Sequence, residues 1–223
     1  MILFGHSKHL THSKDIFLRA DYMLTVLYIV FFVSLLAPIY TYAVYPIILK
    51  VLPEKRNKSD DMYRPFVSIL VVSEENNGIT DEKDDSLGSL CYPTDKLELL
   101  TSSDEFDTVV RYIILKGQDR TRAEKLNAML KVAKGDILII TDGETPLDKN
   151  VVINLVKHFS DQQVGCVIGQ LRSKSPSSFW KYENYVRSQE SKIGCVSGAN
   201  KGLYAVRSGV VNDIPASIIK RLG

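Results

Sequence analysis

Cysteine is scarce in this chain: three residues in 223. That is too few for the disulfide framework of a small secreted scaffold. An excess of charge of one sign is also missing. Lys and Arg number 28 against 26 Asp and Glu, a net charge of +2, which gives no basic footprint for nucleic acid. Proline (8) and glycine (13) are too few for a fibrous or disordered chain. There is no internal repeat, low-complexity tract or heptad array. The most informative absence is local: from Tyr22 to Leu49 there is no Asp, Glu, Lys or Arg. Those 28 residues exceed the roughly 20 that a helix needs to cross a bilayer. The mean hydropathy of −0.03 averages this run with a polar remainder and hides it.

The uncharged run is too long, and too far from the N-terminus, for a signal-peptide core, and no small-residue cleavage site follows it. Pro38 and Pro46 interrupt it, which membrane helices tolerate where the freed carbonyls find other partners. Tyr40, Tyr42 and Tyr45 suit an aromatic belt at the headgroup level. A buried core helix is the alternative reading. Lys8, Lys14 and Arg19 precede the run, and Lys50, Lys55, Arg56 and Lys58 follow it. That bias leans toward a cytoplasmic C-terminal part. The organisation expected is an N-terminal tail (1–21), a transmembrane helix (22–51), a linker (52–64) and one domain over 65–223.

Within that domain, apolar runs alternate with helical patterns. Phe66–Val72 is a short β-branched run of the kind buried on both faces of a parallel sheet. Glu74–Gly88 is acidic with few apolar residues and reads as a poor helix or a loop. Strands are expected at 97–100, 109–115, 136–141, 164–168 and 198–207. Helices are expected at 122–133, 150–159 and 178–191. In the first, Leu126, Met129, Leu130 and Ala133 share one stripe and Gly135 supplies the stop. Strand–helix alternation implies an α/β domain with a mostly parallel sheet flanked by helices.

In open α/β sheets, ligands bind beyond the carboxyl ends of the strands. Asp104 follows one such strand, and Asp142 and Glu144 follow another in Thr141-Asp-Gly-Glu-Thr-Pro. If strand geometry continues past Asp142, the two carboxylates point the same way, with Gly143 admitting a ligand between them. Such oxygens suit Mg2+ or Mn2+ bridging a diphosphate. The same Asp-Gly spacing also suits a solvated turn. Cys91, Cys166 and Cys195 lack metal-ligand spacing and read as buried, inert thiols. His6, His9 and His12 read as a solvated tail, and His158 as a surface residue. Glu74, Glu75 and the acids at 81–85 read as a solvated face, and Trp180 as core, membrane face or acceptor channel.

Several segments, taken in order, resemble the membrane-bound family 2 glycosyltransferases, in particular the processive poly-N-acetylglucosamine, cellulose and hyaluronan synthases. Pro65-Phe-Val-Ser-Ile-Leu-Val resembles their first strand, and Tyr92-Pro-Thr-Asp-Lys-Leu-Glu-Leu-Leu-Thr-Ser-Ser-Asp104 the segment that ends in a nucleoside-contacting aspartate. Leu126-Asn127 resembles the A-L-N of a helix. Gly135-Asp-Ile-Leu-Ile-Ile-Thr-Asp-Gly-Glu resembles the strand carrying D-x-D, and Phe159-Ser-Asp-Gln-Gln-Val-Gly-Cys-Val-Ile-Gly the one after it. Ser197-Gly-Ala-Asn-Lys-Gly-Leu-Tyr-Ala-Val-Arg207 resembles the acceptor-side wall of the sugar pocket. The resemblance spans roughly residues 40 to 219.

It implies a GT-A-like, Rossmann-like nucleotide-diphospho-sugar transferase domain behind one transmembrane helix, in the cell membrane with its polar part in the cytoplasm. The partners implied are a nucleotide sugar (a UDP-sugar by the family's habit), a growing glycan acceptor and the lipid bilayer. Asp104, Arg122, Asn127, Asp142 and Gly198 would bind the donor, and Asp142 and Glu144 would hold Mg2+ or Mn2+. The reaction implied is an inverting transfer to a hydroxyl. A metal would stabilise the leaving diphosphate and a carboxylate base would deprotonate the acceptor.

The chain also departs from the family. Ser73-Glu-Glu-Asn-Asn replaces an aromatic-Asn-Glu-Glu signature, and Thr121-Arg122 stands where the family has Gly-Lys. After Ile219 the chain reads Lys-Arg-Leu-Gly, where the family continues to its D-D/E-D base and Q-x-x-R-W motifs. No catalytic base is therefore assigned, and the resemblance implies a 65–223 domain incomplete at its C-terminus, as in a fragment whose base lies beyond it. A second reading stays open beside the enzyme: a catalytically incomplete pseudoenzyme, or a subunit of a polysaccharide-synthesis complex whose partner supplies the missing motifs.

Overall fold

The computed structural model describes residues 7–55, 58–73, 79–101, 112–114, 121–170, 175–196, 198 and 202–211; the side chains of 7–18, 20 and 112–114 are not described. The chain divides into two compact units. One holds Met1–Glu54 with Tyr182–Cys195, and the other holds Lys55–Lys181 with Val196–Gly223.

The first unit is built on helix α1 (Ser7–Ile39), a π-helical turn (Tyr40–Val44) and helix α2 (Tyr45–Val51). Asp21–Val51 is long and apolar enough to cross a membrane, and none of its most apolar stretch is buried against protein. The π turn is explained by Pro46. In the turn, the Tyr45 amide donates to Tyr40 O, five residues back. The Thr41 carbonyl would need the amide of residue 46, and proline has none. The Tyr182 hydroxyl takes that place, donating to Thr41 O at 2.7 Å. Around it, the Tyr42 and Tyr182 rings pack with centroids 5.2 Å apart. The Tyr45 hydroxyl donates to Glu190 Oε1, a carboxylate only 3% exposed. Lys192 and Glu54 approach to 3.4 Å.

The second unit contains a six-stranded sheet: β1 (Val67–Val72), β2 (Leu97–Thr101), β3 (Tyr112–Ile114), β4 (Ile137–Asp142), β5 (Cys166–Ile168) and β6 (Leu203–Arg207). Its order is β3-β2-β1-β4-β6-β5. The first four strands are parallel, while β6 runs antiparallel to both β4 and β5. The sheet is thus mixed α/β and mostly parallel. Its helices are α3 (Asp81–Gly88), α4 (Arg122–Val132) and α5 (Val151–Val156), the last running on as a 3-10 turn (Lys157–Ser160); α6 (Ser178–Lys192) begins in this unit and continues into the first.

Strand alternation divides the core into two layers. Val67, Ile69, Val71, Leu97, Leu99, Ile137 and Ile139 face a layer closed by Leu87 of α3 and by Val152, Leu155 and Val156 of α5. Leu70, Val72, Leu100, Leu138 and Ile140 face the layer closed by Leu126 and Met129 of α4. Helices on both faces are what a parallel sheet requires. At the amino edge of the sheet, Ser68 Oγ donates to the buried Glu98 carboxylate, which also accepts from Lys134 N at 2.6 Å. Gly135 N donates to Ser68 Oγ at 2.7 Å, and a Cβ at Gly135 would lie 2.4 Å from Ser68 N. Only glycine fits this approach.

Of the two readings of Glu74–Gly88, a poor helix or a loop, the helix holds for residues 81–88, which form α3, capped by Thr80, whose side chain accepts from Lys83 N. Two other expectations need correction. The strand expected at 198–207 begins only at Leu203. The cysteines are not buried: Cys91 lies in a turn, Cys166 on the edge strand β5 and Cys195 after α6, and all three are exposed. His158 is half-buried, and burial followed by the Lys157 charge holds its imidazole below the usual value.

Candidate functional site

The chain runs from β1 to β2 to β3 on one side of β1, then returns to lay β4 on the other. The gap between β1 and β4 is therefore the topological switch point, where open α/β sheets bind ligands beyond their carboxyl ends. Asp142 is the last residue of β4 and pairs in register with Val72, the last residue of β1. The sequence placed a carboxylate at this strand end, and the fold places that strand end at the switch point.

The strand stops at Asp142, so alternation does not extend to Glu144. The chain bends instead, and the bend is organised by Asp142 itself. Its Oδ1 accepts from Glu144 N at 3.1 Å and from Thr145 N at 2.7 Å, and its Oδ2 accepts from Thr145 Oγ1 at 2.9 Å. This is an Asx turn, a use of short acidic side chains that needs no neighbouring element. Asp142 is half-buried, Gly143 buried and Glu144 exposed.

Helix α3 grips the same turn from below. Thr80 N donates to Gly143 O at 3.0 Å, and Leu147 N donates to Ser86 Oγ at 3.0 Å. Between them lies Lys83, which is 0% exposed. Its ammonium donates to Thr141 Oγ1 at 2.8 Å and to the Thr145 carbonyl at 2.6 Å, one on each side of Asp142. Thr141 Oγ1 in turn donates to Gly202 O at 2.9 Å, tying the end of β4 to the start of β6. Burial pushes the Lys83 ammonium down to about 8, while the Asp142 charge works the other way. Sequence reasoning missed Lys83, which lies among the acids at 81–85 read as a solvated face.

The other expected residues are placed as follows. Arg122 opens α4 behind a capping box of Thr121 and Glu124. Its charge acts on Tyr204 of β6, whose hydroxyl is raised by burial and lowered in part by Arg122. Asn127 is half-buried one turn further along α4, and Gly198 is exposed. Asp104 lies outside the described residues, as do Glu74 and Glu75. The structure thus joins Lys83, Thr141, Asp142, Thr145 and Gly202 in one hydrogen-bonded assembly. Among the described residues, no three His, Cys, Asp or Glu side chains converge.

No protein-family model matches the chain, and no curated protein matches it. Solved structures do. A mannosyltransferase from Pyrobaculum calidifontis, solved with GDP-Man and Mn2+, superposes with a TM-score of 0.61 at 23% identity. The match covers 84% of this chain and 57% of that one, so the chain spans little more than half the length of that structure. Glucosyl-3-phosphoglycerate synthase from Mycobacterium tuberculosis, solved with Mn2+ and UDP-Glc, gives 0.46 at 16% identity over 68% of this chain and 59% of its own. The fold is GT-A-like, an α/β architecture that this chain shares with nucleotide-sugar glycosyltransferases.

Proposed function

We propose that this chain is a membrane-anchored glycosyltransferase domain that binds a nucleoside diphosphate sugar at the β1–β4 switch point, with a divalent cation. The observation that carries the reading is the position of Asp142. It ends β4 beside the end of β1, in a sheet whose fold matches that of a mannosyltransferase solved with GDP-Man and Mn2+. The residues fit a hard cation completed by the ligand rather than caged by protein. Mg2+ and Mn2+ need only one or two carboxylates when phosphate oxygens supply the rest. Asp142 and Glu144 would hold the cation, which supplies Lewis-acid stabilisation of a leaving diphosphate.

The remaining roles belong to the chain itself. The Asx turn fixes Asp142 before any ligand arrives, so ordering it adds no entropic cost on binding. Gly143 keeps the turn free of a side chain. Arg122 would meet a phosphate at the start of α4, Asn127 and Asp104 would contact the nucleotide, and Gly198 would lie on the acceptor side. Asp21–Val51 would cross the bilayer, and the polar unit would face the cytoplasm, on the side of Lys50, Lys55 and Lys58. Inverting transfer to a growing polysaccharide is the reaction that suits this arrangement.

The test is calorimetric binding of UDP and GDP to the detergent-solubilised chain, with and without Mn2+, followed by donor turnover. Binding of one diphosphate only with Mn2+ supports the reading. Failure to bind either one sinks it, and binding without turnover favours the catalytically incomplete alternative.

A further inference from the structure

Lys83 is an expensive residue in its position. A fully buried ammonium loses its hydration, and a methionine or leucine would fill the same space without that cost. Neutral groups also join α3 to the 141–147 segment: the Thr80 amide on Gly143 O and the Ser86 hydroxyl under Leu147 N. Packing alone therefore does not call for a charge. The two acceptors of the ammonium bracket Asp142. Thr141 Oγ1 lies on the strand side and the Thr145 carbonyl on the far side of the bend. Thr145 is also the residue whose amide and hydroxyl both donate to the Asp142 carboxylate. Through Thr141, the network reaches on to the Gly202 carbonyl at the start of β6.

We propose that Lys83 is a positioning residue: its ammonium clamps Thr141 and Thr145 so that the Asp142–Gly143–Glu144 turn is preformed for a nucleoside diphosphate and its cation. The inference rests on the reading of that turn as the diphosphate site. Lys83 does not touch the ligand; it acts through the backbone that presents Asp142. Groups that hold a metal-binding side chain in place commonly change affinity by roughly 10-fold or more when removed.

Two opposing effects make the proposal testable. Lys83 also places a positive charge beside Asp142. By electrostatics alone, Lys83→Met would strengthen cation binding, because a like charge has gone. By positioning, it would weaken binding, because the turn is released. The full chain in detergent is titrated with UDP and GDP in the presence of Mn2+ by calorimetry, and with Mn2+ alone by loss of the free-ion EPR signal. Far-UV circular dichroism and melting temperature report the fold.

Lys83→Met is expected to keep the spectrum and a cooperative melting transition while the diphosphate dissociation constant rises roughly tenfold. A folded Lys83→Met that binds diphosphate and Mn2+ as tightly as the wild type, or more tightly, overturns the proposal. If that variant does not fold, Thr141→Val decides. It removes the hydroxyl clamp but keeps a β-branched strand residue, and it should shift affinity in the same direction; unchanged affinity overturns the proposal equally. A wild-type chain that binds neither UDP nor GDP overturns the donor-site reading itself, a result distinct from wild-type binding that the variants leave intact.

Discussion

The buried lysine makes a stability prediction that is independent of any ligand. Its ammonium titrates at about 8 in the folded chain instead of 10.5, mainly because of burial. A base whose folded value lies below its unfolded value binds fewer protons folded than unfolded in the interval between them. Stability therefore rises with pH across that interval. At roughly 1.4 kcal/mol per pH unit, the full interval is worth about 3 kcal/mol. Below pH 8 the penalty is fully present, and by pH 10.5 it is gone. Between pH 7.5 and 10 the wild type should gain about 2 kcal/mol from this group.

Other groups titrate in the same range. Tyr92, whose hydroxyl donates to Pro65 O, is raised to about 12 by burial. It has the opposite sign, costing stability as pH climbs from 10 toward 12. The quantity to measure is therefore the difference between the wild type and Lys83→Met, in which such contributions cancel. Urea unfolding followed by circular dichroism at the two pH values gives it directly. The difference should move by about 2 kcal/mol in favour of the wild type on going to pH 10. Parallel pH curves for the two proteins would refute the claim that Lys83 is buried as an ammonium.

Further outcomes follow from single contacts. Gly135→Ala places a methyl 2.4 Å from Ser68 N and should lower the urea-derived stability by about 2 kcal/mol, since backbone must shift to admit it; an unchanged midpoint would show that the approach is not tight. Tyr182→Phe strands the Thr41 carbonyl that Pro46 leaves without an amide and should cost about 1 kcal/mol in thermal unfolding, whereas no loss would mean water or lipid headgroups replace the hydroxyl. Because Cys91 and Cys166 are exposed on the polar unit, a membrane-impermeant maleimide should label them in inverted vesicles and not in intact cells. The reverse pattern would place that unit outside the cytoplasm.

The parts of the fold that were legible in the sequence are those where burial dictates composition. β1 and β4 lie inside the sheet with both faces covered, so Val67–Val72 is apolar but for Ser68 and Ile137–Ile140 is a continuous apolar run. Helix α4 carries Leu126 and Met129 at helical spacing because one face meets the sheet. α3 was legible only as a poor helix or a loop, for a specific reason. It buries positions 83, 86 and 87, a regular helical face, but two of the three are Lys83 and Ser86. A polar residue at an inward position erases the periodicity that marks a helix. The same substitution that hid the helix built the clamp under Asp142.

Asp142 was legible as a carboxylate at a strand end, and its Asp-Gly spacing left both a continued strand and a turn open. The turn is the outcome, because the local preference of aspartate for its own following amides ends the strand at Asp142. The thiols show the converse. Cysteine is usually buried, yet nothing in the spacing of Cys91, Cys166 and Cys195 reveals that a turn, an edge strand and a helix end expose them.

The proposed donor site requires that Asp142 join cation and diphosphate in one place. Linkage requires that, if it does, each ligand tightens the other by the same factor. The direct measurement is Mn2+ binding to the detergent-solubilised chain by EPR, with and without saturating UDP or GDP, for the wild type and Asp142→Asn. One diphosphate should tighten Mn2+ binding to the wild type by roughly 10-fold or more, and Asp142→Asn should lose this coupling while keeping its melting temperature. Equal coupling in both proteins would contradict the assignment, and a wild type with no coupling would contradict the donor site altogether.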